Sequence, residues 1–203
     1  MRNILAERPE FDEKVLKISP RIDEFEGYRG AHAQKIAAIG EALASSFNLA
    51  SRDRSFLHQA ALLHDIGELK MGREYIRSAN VLSTEERFDL QRHPVIGEQE
   101  TGKMGLPRGV QLLVRWHHEW WNGSGYPDAL VSEAIPLAAR ILRVADTYAA
   151  LTGDRPFRAA LSPDEARKYL AEWAGIEFDP HVVKAFLSIR RAQPRPSQFT
   201  AAR

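Results

Sequence analysis

Apolar residues recur at steps of three and four along most of the chain, and nowhere do they alternate with the period of two that a half-buried strand requires. That periodicity confines the fold class to all-α. His32, Ile36, Ile39, Leu43 and Phe47 step by four, three, four and four, which predicts a helix from about Gly30 to Phe47. Leu57, Ala61 and His64 follow the same rule on a second helix, which Gly67 is expected to end. Ser83, with Glu86 three positions later, is a capping box opening a short helix that runs towards His93-Pro94. Val110, Leu113 and His117 lie along another, broken by the turn chemistry of "NGSGYP". Ile135, Ala139, Leu142, Asp146 and Ala149 mark a further helix with Pro136 near its start, and Ser162-Pro163 and Asp179-Pro180 open two more. Residues 1–27 carry a weaker pattern and read as an N-terminal extension, 28–192 as one domain, and 193–203 as a flexible Pro/Arg-rich tail.

This pattern points His32, His64, His117 and Asp146 inward from four different helices. A lone buried His is ordinarily satisfied by a carbonyl. Four inward polar groups on separate helices each cost stability unless something satisfies them, and a shared metal site satisfies all of them. The chain has no cysteine, so any metal must be held by His, Asp and Glu. Neighbouring residues on a helix point about 100° apart. His117 and His118 are thus poorly placed to grip one ion in the same way, and serve either two ions or a ligand and a supporting role. His64-Asp65 has the same geometry, and a carboxylate can bridge two metals with its two oxygens. Two divalent ions roughly 3.5–4 Å apart can hold a phosphodiester between them while an activated water attacks in line. A ligand set rich in His suits Fe, Mn, Zn, Ni or Co better than Mg.

Charge and hydropathy exclude other classes. With 28 basic and 27 acidic residues, nothing suggests a surface that coats nucleic acid. The opening "MRNILAERPEFDEK" lacks an apolar signal core, and no apolar run approaches the roughly 20 residues that span a bilayer. The expectation is a cytoplasmic protein with neither nucleic acid nor membrane as partner.

"LLHDIGE", "RHPVIG", "HHEWWNGSGYP", "IPLAARILRVADTYAALTGDRPFR" and "GIEFDP" resemble, in order and spacing, the successive blocks of the HD-GYP domain, a branch of the HD-domain metal phosphohydrolases. The resemblance runs from about Tyr28 to Leu187. It implies an all-helical bundle with the metal site in its core and hydrolysis of cyclic di-GMP in bacterial second-messenger signalling. It also implies two divalent metals, Fe or Mn foremost, held by His32, His64, Asp65, His93, His117, His118 and Asp146. Asp65 and Glu68 stand at the catalytic positions. Tyr126, in a turn shaped by Gly123 and Gly125, lines the nucleotide pocket, and Arg155 and Arg158 face the phosphates. Signalling proteins are a further partner class, docking through the Gly-Tyr-Pro turn.

The chain also departs from the family pattern. Glu68 stands where the family has Lys, and Ala149 where it has a second Asp. Tyr28 stands where a trinuclear variant of the family has Glu. A third metal in that manner is therefore not expected. Two alternatives stay open: a catalytically weak module that binds a nucleotide or a partner protein, and a phosphohydrolase acting on another nucleotide.

Overall fold

Residues 9–28, 30–78, 80–154 and 159–189 are described by a computed structural model, and among them the chain forms ten α-helices and no strand longer than an isolated bridge. The helices are α1 (Pro9–Phe25), α2 (His32–Ser46), α3 (Ser51–Leu63), α4 (Ile66–Met71), α5 (Thr84–Leu90), α6 (His93–Lys103), α7 (Arg108–Trp116), α8 (Leu137–Leu151), α9 (Pro163–Glu172) and α10 (Pro180–Ser188). Among the described residues, none of these helices is long and apolar enough to cross a membrane.

The starts marked by side-chain chemistry hold. Ser83 and Ser162 each accept from the backbone N–H three residues on, whose Glu side chain accepts in return. Asp179 accepts from His181 N at 2.8 Å and caps α10. Two boundaries differ from the sequence reading. Gly67 does not end a helix: it sits inside α4, and Gly72, with φ +59°, is the left-handed residue that stops it. The helix opened by Ser83 ends at Leu90, and His93 begins a new one with Pro94 in its first turn.

Helix α2 packs on α3 and α8, α6 on α4 and α7, and α3 also on α7. Ile36, Leu43, Leu57, Leu63, Val110, Val114, Ile141 and Leu142 fill the space between them, fully buried. Within the segment read from sequence as an N-terminal extension, Val15, Ser19, Ile22 and Glu26 step by four, three and four and are all buried, and α1 lies against α3 and α4. Burying a side chain such as Ile22 contributes about 1.5–3 kcal/mol, which a merely appended segment would forgo. Asp23 Oδ1 also accepts from Ala33 N at 3.1 Å, so α1 satisfies one of the free donors at the start of α2 and fixes where His32 begins.

Candidate metal centre

His64, His93 and His117 share one local device. His64 and His117 are the residues that cap the C-terminal ends of α3 and α7, and His93 follows the end of α5. The last carbonyls of a helix lack intrahelical partners. Each ring reaches back to one: His64 Nδ1 to Ala61 O at 3.0 Å, His93 Nδ1 to Leu90 O at 2.7 Å, and His117 Nδ1 to Val114 O at 2.6 Å. A carbonyl only accepts, so Nδ1 carries the proton and Nε2 presents a lone pair. This is how ligating imidazoles are oriented by their outer partners.

The three lone pairs converge on Asp65. Its Oδ1 lies 3.0 Å from His93 Nε2 and 3.3 Å from His117 Nε2, which are themselves 3.3 Å apart. Its Oδ2 lies 3.1 Å from His64 Nε2. Asp146, from the middle of α8, places Oδ1 3.8 Å from His64 Nε2 and 4.0 Å from His32 Nε2. Donors about 2.1 Å from one ion lie roughly 3–4 Å from one another, so these separations fit ligands around metals, with Asp65 facing both ways. His64 Nε2 is buried and has no hydrogen-bond partner, as an atom reserved for a metal should be.

Asp65, His93, His117 and His118 offer donor atoms within 4.8 Å of one another. His117 and His118 both follow the last residue of α7, and each places a donor atom in this group, although the sequence reads them as poorly placed to grip one ion in the same way. His118 differs from its neighbours in one respect: its Nδ1 faces Arg143 Nη1 at 2.8 Å, a group that only donates. Arg143 is in turn paired with Glu177 at 2.6 Å.

Without metal, the carboxylates compete with desolvation. Burial alone drives His64 down, but Asp65 and Asp146 outweigh it and lift the ring to about 10. His93 is raised against burial by Asp65 in the same way. Burial also opposes ionisation of Asp65, yet His64, His117 and His93 hold it well below the usual carboxylate range. Burial, then His117 and Arg143, push His118 well below the usual imidazole value.

Two expected results follow for metal removal. Metal that binds only the native state contributes about 4 kcal/mol at a free concentration ~1,000 times its dissociation constant. Chelation should therefore lower the melting temperature by roughly 10 °C, read by calorimetry alongside elemental analysis. His64 rises on folding from 6.5 to about 10, so in chelated protein its stabilisation is complete below pH 6.5 and is lost on the way to pH 10. Metal must displace that proton, so metal affinity should climb over the same interval.

The turn after His118 folds back over it. Tyr126 N donates to His118 O at 3.2 Å, and the Tyr126 ring stacks on the His118 ring with centroids 4.9 Å apart and 26° between planes. A Cβ on Gly125 would lie 2.2 Å from Trp120 N and 2.5 Å from His118 O, so only glycine permits this return, and Gly123 takes φ +84°. Burial pushes the Tyr126 phenol up, which keeps its proton on. Arg115 Nε and Nη2 donate to Asp128 at 2.6 Å each, Trp116 Nε1 donates to it at 2.7 Å, and buried Glu119 accepts from Asp128 N and Leu130 N. Arg115 foremost holds Asp128 below its ordinary value, so this brace is complete at neutral pH and is lost on acidification. Asp128→Ala should cost about 1–3 kcal/mol and raise hydrogen exchange at the Tyr126 amide.

Glu68, on α4, is buried with its carboxylate 4.0 Å from His93 Nδ1. Ala149 faces other neighbours: it lines a cleft of about 280 Å³ with Tyr28, His32, Lys35 and Gly153. Arg155 and Arg158 lie outside the described residues. Trp120 packs edge-on against Trp173. Sequence reasoning missed Glu26, Glu119 and Arg143. Glu26 continues the four-three-four stripe of Val15, Ser19 and Ile22, but that stripe is half polar and marks no core by itself, and nothing local marks the other two.

A family model described as "HD domain" matches residues 6–182. The chain is 33% identical over 193 residues to the cyclic di-GMP phosphodiesterase response regulator RpfG of Xanthomonas campestris pv. campestris (strain 8004), covering 92% of this chain and 51% of that protein. It is 32% identical over 193 residues to a cyclic di-GMP phosphodiesterase of Vibrio cholerae serotype O1, covering 88% and 39%. The chain thus spans about half the length, or less, of these relatives. The crystal structure of a cyclic GMP-AMP specific phosphodiesterase of V. cholerae (V-cGAP3) superposes with a TM-score of 0.69 at 22% identity, over 87% of this chain and 48% of that one, which shows a shared fold.

Proposed function

The chain belongs to the HD domain family, and from that membership we propose that it is a metal-dependent phosphodiesterase of the HD-GYP branch, hydrolysing a cyclic dinucleotide in the cytoplasm, cyclic di-GMP foremost. The observation that carries this reading is the convergence of three imidazole Nε2 atoms on the two oxygens of Asp65. That arrangement is repulsive until protons or cations enter it.

In this reading Asp65, His93, His117 and His118 would hold one ion, and Asp65, His64, His32 and Asp146 would hold a second, both Fe or Mn. Bound there, such ions would supply Lewis-acid polarisation of the phosphoryl oxygens and activation of the attacking water. The protein's own groups do the rest. Asp65 fixes the two positions relative to each other. Tyr126 keeps its proton and donates to a substrate phosphate oxygen, held in place by its stack on His118. Gly123 and Gly125 let that turn approach. Arg155 and Arg158 meet the phosphates. Glu68 reverses the charge of the family's Lys, and Lys35, braced by Thr152 Oγ1 at 2.7 Å beside the cleft, supplies an ammonium instead.

The test is incubation of iron- or manganese-loaded protein with cyclic di-GMP, cyclic GMP-AMP and cyclic di-AMP, with products separated by chromatography. Linear dinucleotide from cyclic di-GMP supports the reading. Turnover of another substrate alone moves the specificity, and binding without turnover overturns the enzymatic reading.

A further inference from the structure

Resting on the metal-centre reading above, we propose that Arg143 is a positioning residue that makes the ion position of His93, His117 and His118 the weaker of the two, so that the centre fills in two steps and its second ion exchanges with the medium.

His118 stands apart from His64, His93 and His117 in what its outer nitrogen meets. Those three turn Nδ1 to a backbone carbonyl, which only accepts and so leaves the Nε2 lone pair free. His118 Nδ1 instead lies 2.8 Å from Arg143 Nη1, which only donates. A neutral imidazole has a single lone pair. Given to Arg143, it is not available to an ion, and the nitrogen that remains carries the ring proton. His118 therefore joins its ion only by giving up the guanidinium. Asp146 meets the same guanidinium without this conflict. Its Oδ2 lies 3.6 Å from Arg143 Nη1 while its Oδ1 stays turned to His64 and His32, because a carboxylate has lone pairs to spare. One arginine thus steadies a ligand of one position and occupies a ligand of the other.

Arg143 does not step aside freely. Its Nη2 donates to Glu177 Oε1 at 2.6 Å, and the Glu177 side chain is only 3% exposed. Glu177 is fixed in turn: its Oε2 accepts from Tyr169 OH at 3.4 Å, and its backbone oxygen accepts from Trp121 N at 3.0 Å. Turning the guanidinium away would leave a buried carboxylate uncompensated. The His118 ring is held at its edge by Arg143 and on its face by the Tyr126 stack. Loading of this ion position is therefore tied to the segment after α9, which carries Glu177.

The experiment is stepwise titration of the chelated full chain with Zn²⁺ by calorimetry, with nitrogen-15 NMR of labelled histidines showing which rings respond at each equivalent. In wild type the His64 signals should move with the first equivalent and the His118 signals only with the second, whose affinity is at least about tenfold lower. The double variant Arg143→Gln, Glu177→Gln keeps the pair as two neutral amides, and a glutamine at 143 can accept from Nδ1 as well as donate to it. Affinity for the second equivalent should then rise about 10–100-fold, more than that for the first. Equal affinities in wild type overturn the proposal. So does a second affinity that the double variant leaves unmoved, which is what a purely structural arginine gives. If the double variant fails to fold by circular dichroism, His118→Ala decides alone: the second affinity should fall by less than about tenfold, and a larger loss overturns the proposal. Two unequal ions without hydrolysis of any cyclic dinucleotide would sink the phosphodiesterase reading and leave this one standing, while hydrolysis with two equal ions does the reverse.

Discussion

Asp65→Asn should lose metal at both imidazole-rich positions and hydrolyse cyclic di-GMP at least about a thousandfold more slowly than wild type, close to 4 kcal/mol of transition-state stabilisation. The substitution is nearly isosteric, so the expected effect is one of charge and lone pairs. In wild type Oδ1 faces His93 and His117 while Oδ2 faces His64. An amide keeps one weakly basic oxygen and turns an NH₂ towards lone pairs on the other side. Whichever way the amide is oriented, one position loses its anionic donor outright and the other keeps only a neutral one. His64 and His93 also lose the partner that offsets their burial, so both should fall from their raised values. The measurement is elemental analysis after dialysis together with chromatographic rates. A variant that keeps two tightly bound ions would show that Asp65 is not the shared ligand.

Gly67→Ala should destabilise the fold by about 3 kcal/mol or more, the upper end for overpacking, which for a chain of this length lowers the melting temperature by roughly 6–12 °C. A Cβ there would stand 2.0 Å from His93 O, 2.8 Å from His93 C and 2.9 Å from Gly97 N. All three are backbone atoms of α6, so no rotamer change relieves the clash. Helix α4 must lift off α6 by more than an ångström. Asp65 sits at the start of α4 and His93 at the start of α6, so the same shift pulls apart two donors now 3.0 Å from each other. Metal affinity should fall with stability. Gly30→Ala is the control: nothing lies within 4 Å of a Cβ built there, and its melting temperature should hardly move. Equal melting curves for the two variants would remove the close crossing of α4 and α6 as the reason for glycine at position 67.

Three-and-four periodicity placed the buried faces of α2, α3, α7 and α8 correctly because it depends only on 3.6 residues per turn and on the removal of apolar surface from water. Both are local. The same reasoning put His32, His64, His117 and Asp146 on inward faces, and the structure brings them together. It failed where the outcome depends on which helices become neighbours. The stripe of Val15, Ser19, Ile22 and Glu26 is half polar, and reads as core only once α3 and α4 are there to receive it. Gly67 looks like a terminator because glycine commonly is one, whereas here it marks an approach to a carbonyl 26 residues further along the chain.

The sequence by itself determined the fold class, most helix starts and the donor types available to a metal, since periodicity, capping side chains and the absence of cysteine act within a few residues or not at all. Only the tertiary structure decided how those donors are shared. It set Asp65 between two groups of imidazoles, put His117 and His118 into one group by ending α7 before both, and brought Glu26 from α1 to Glu68 on α4. Those relations join segments distant in sequence, and close packing fixes them through backbone approaches that no local pattern encodes.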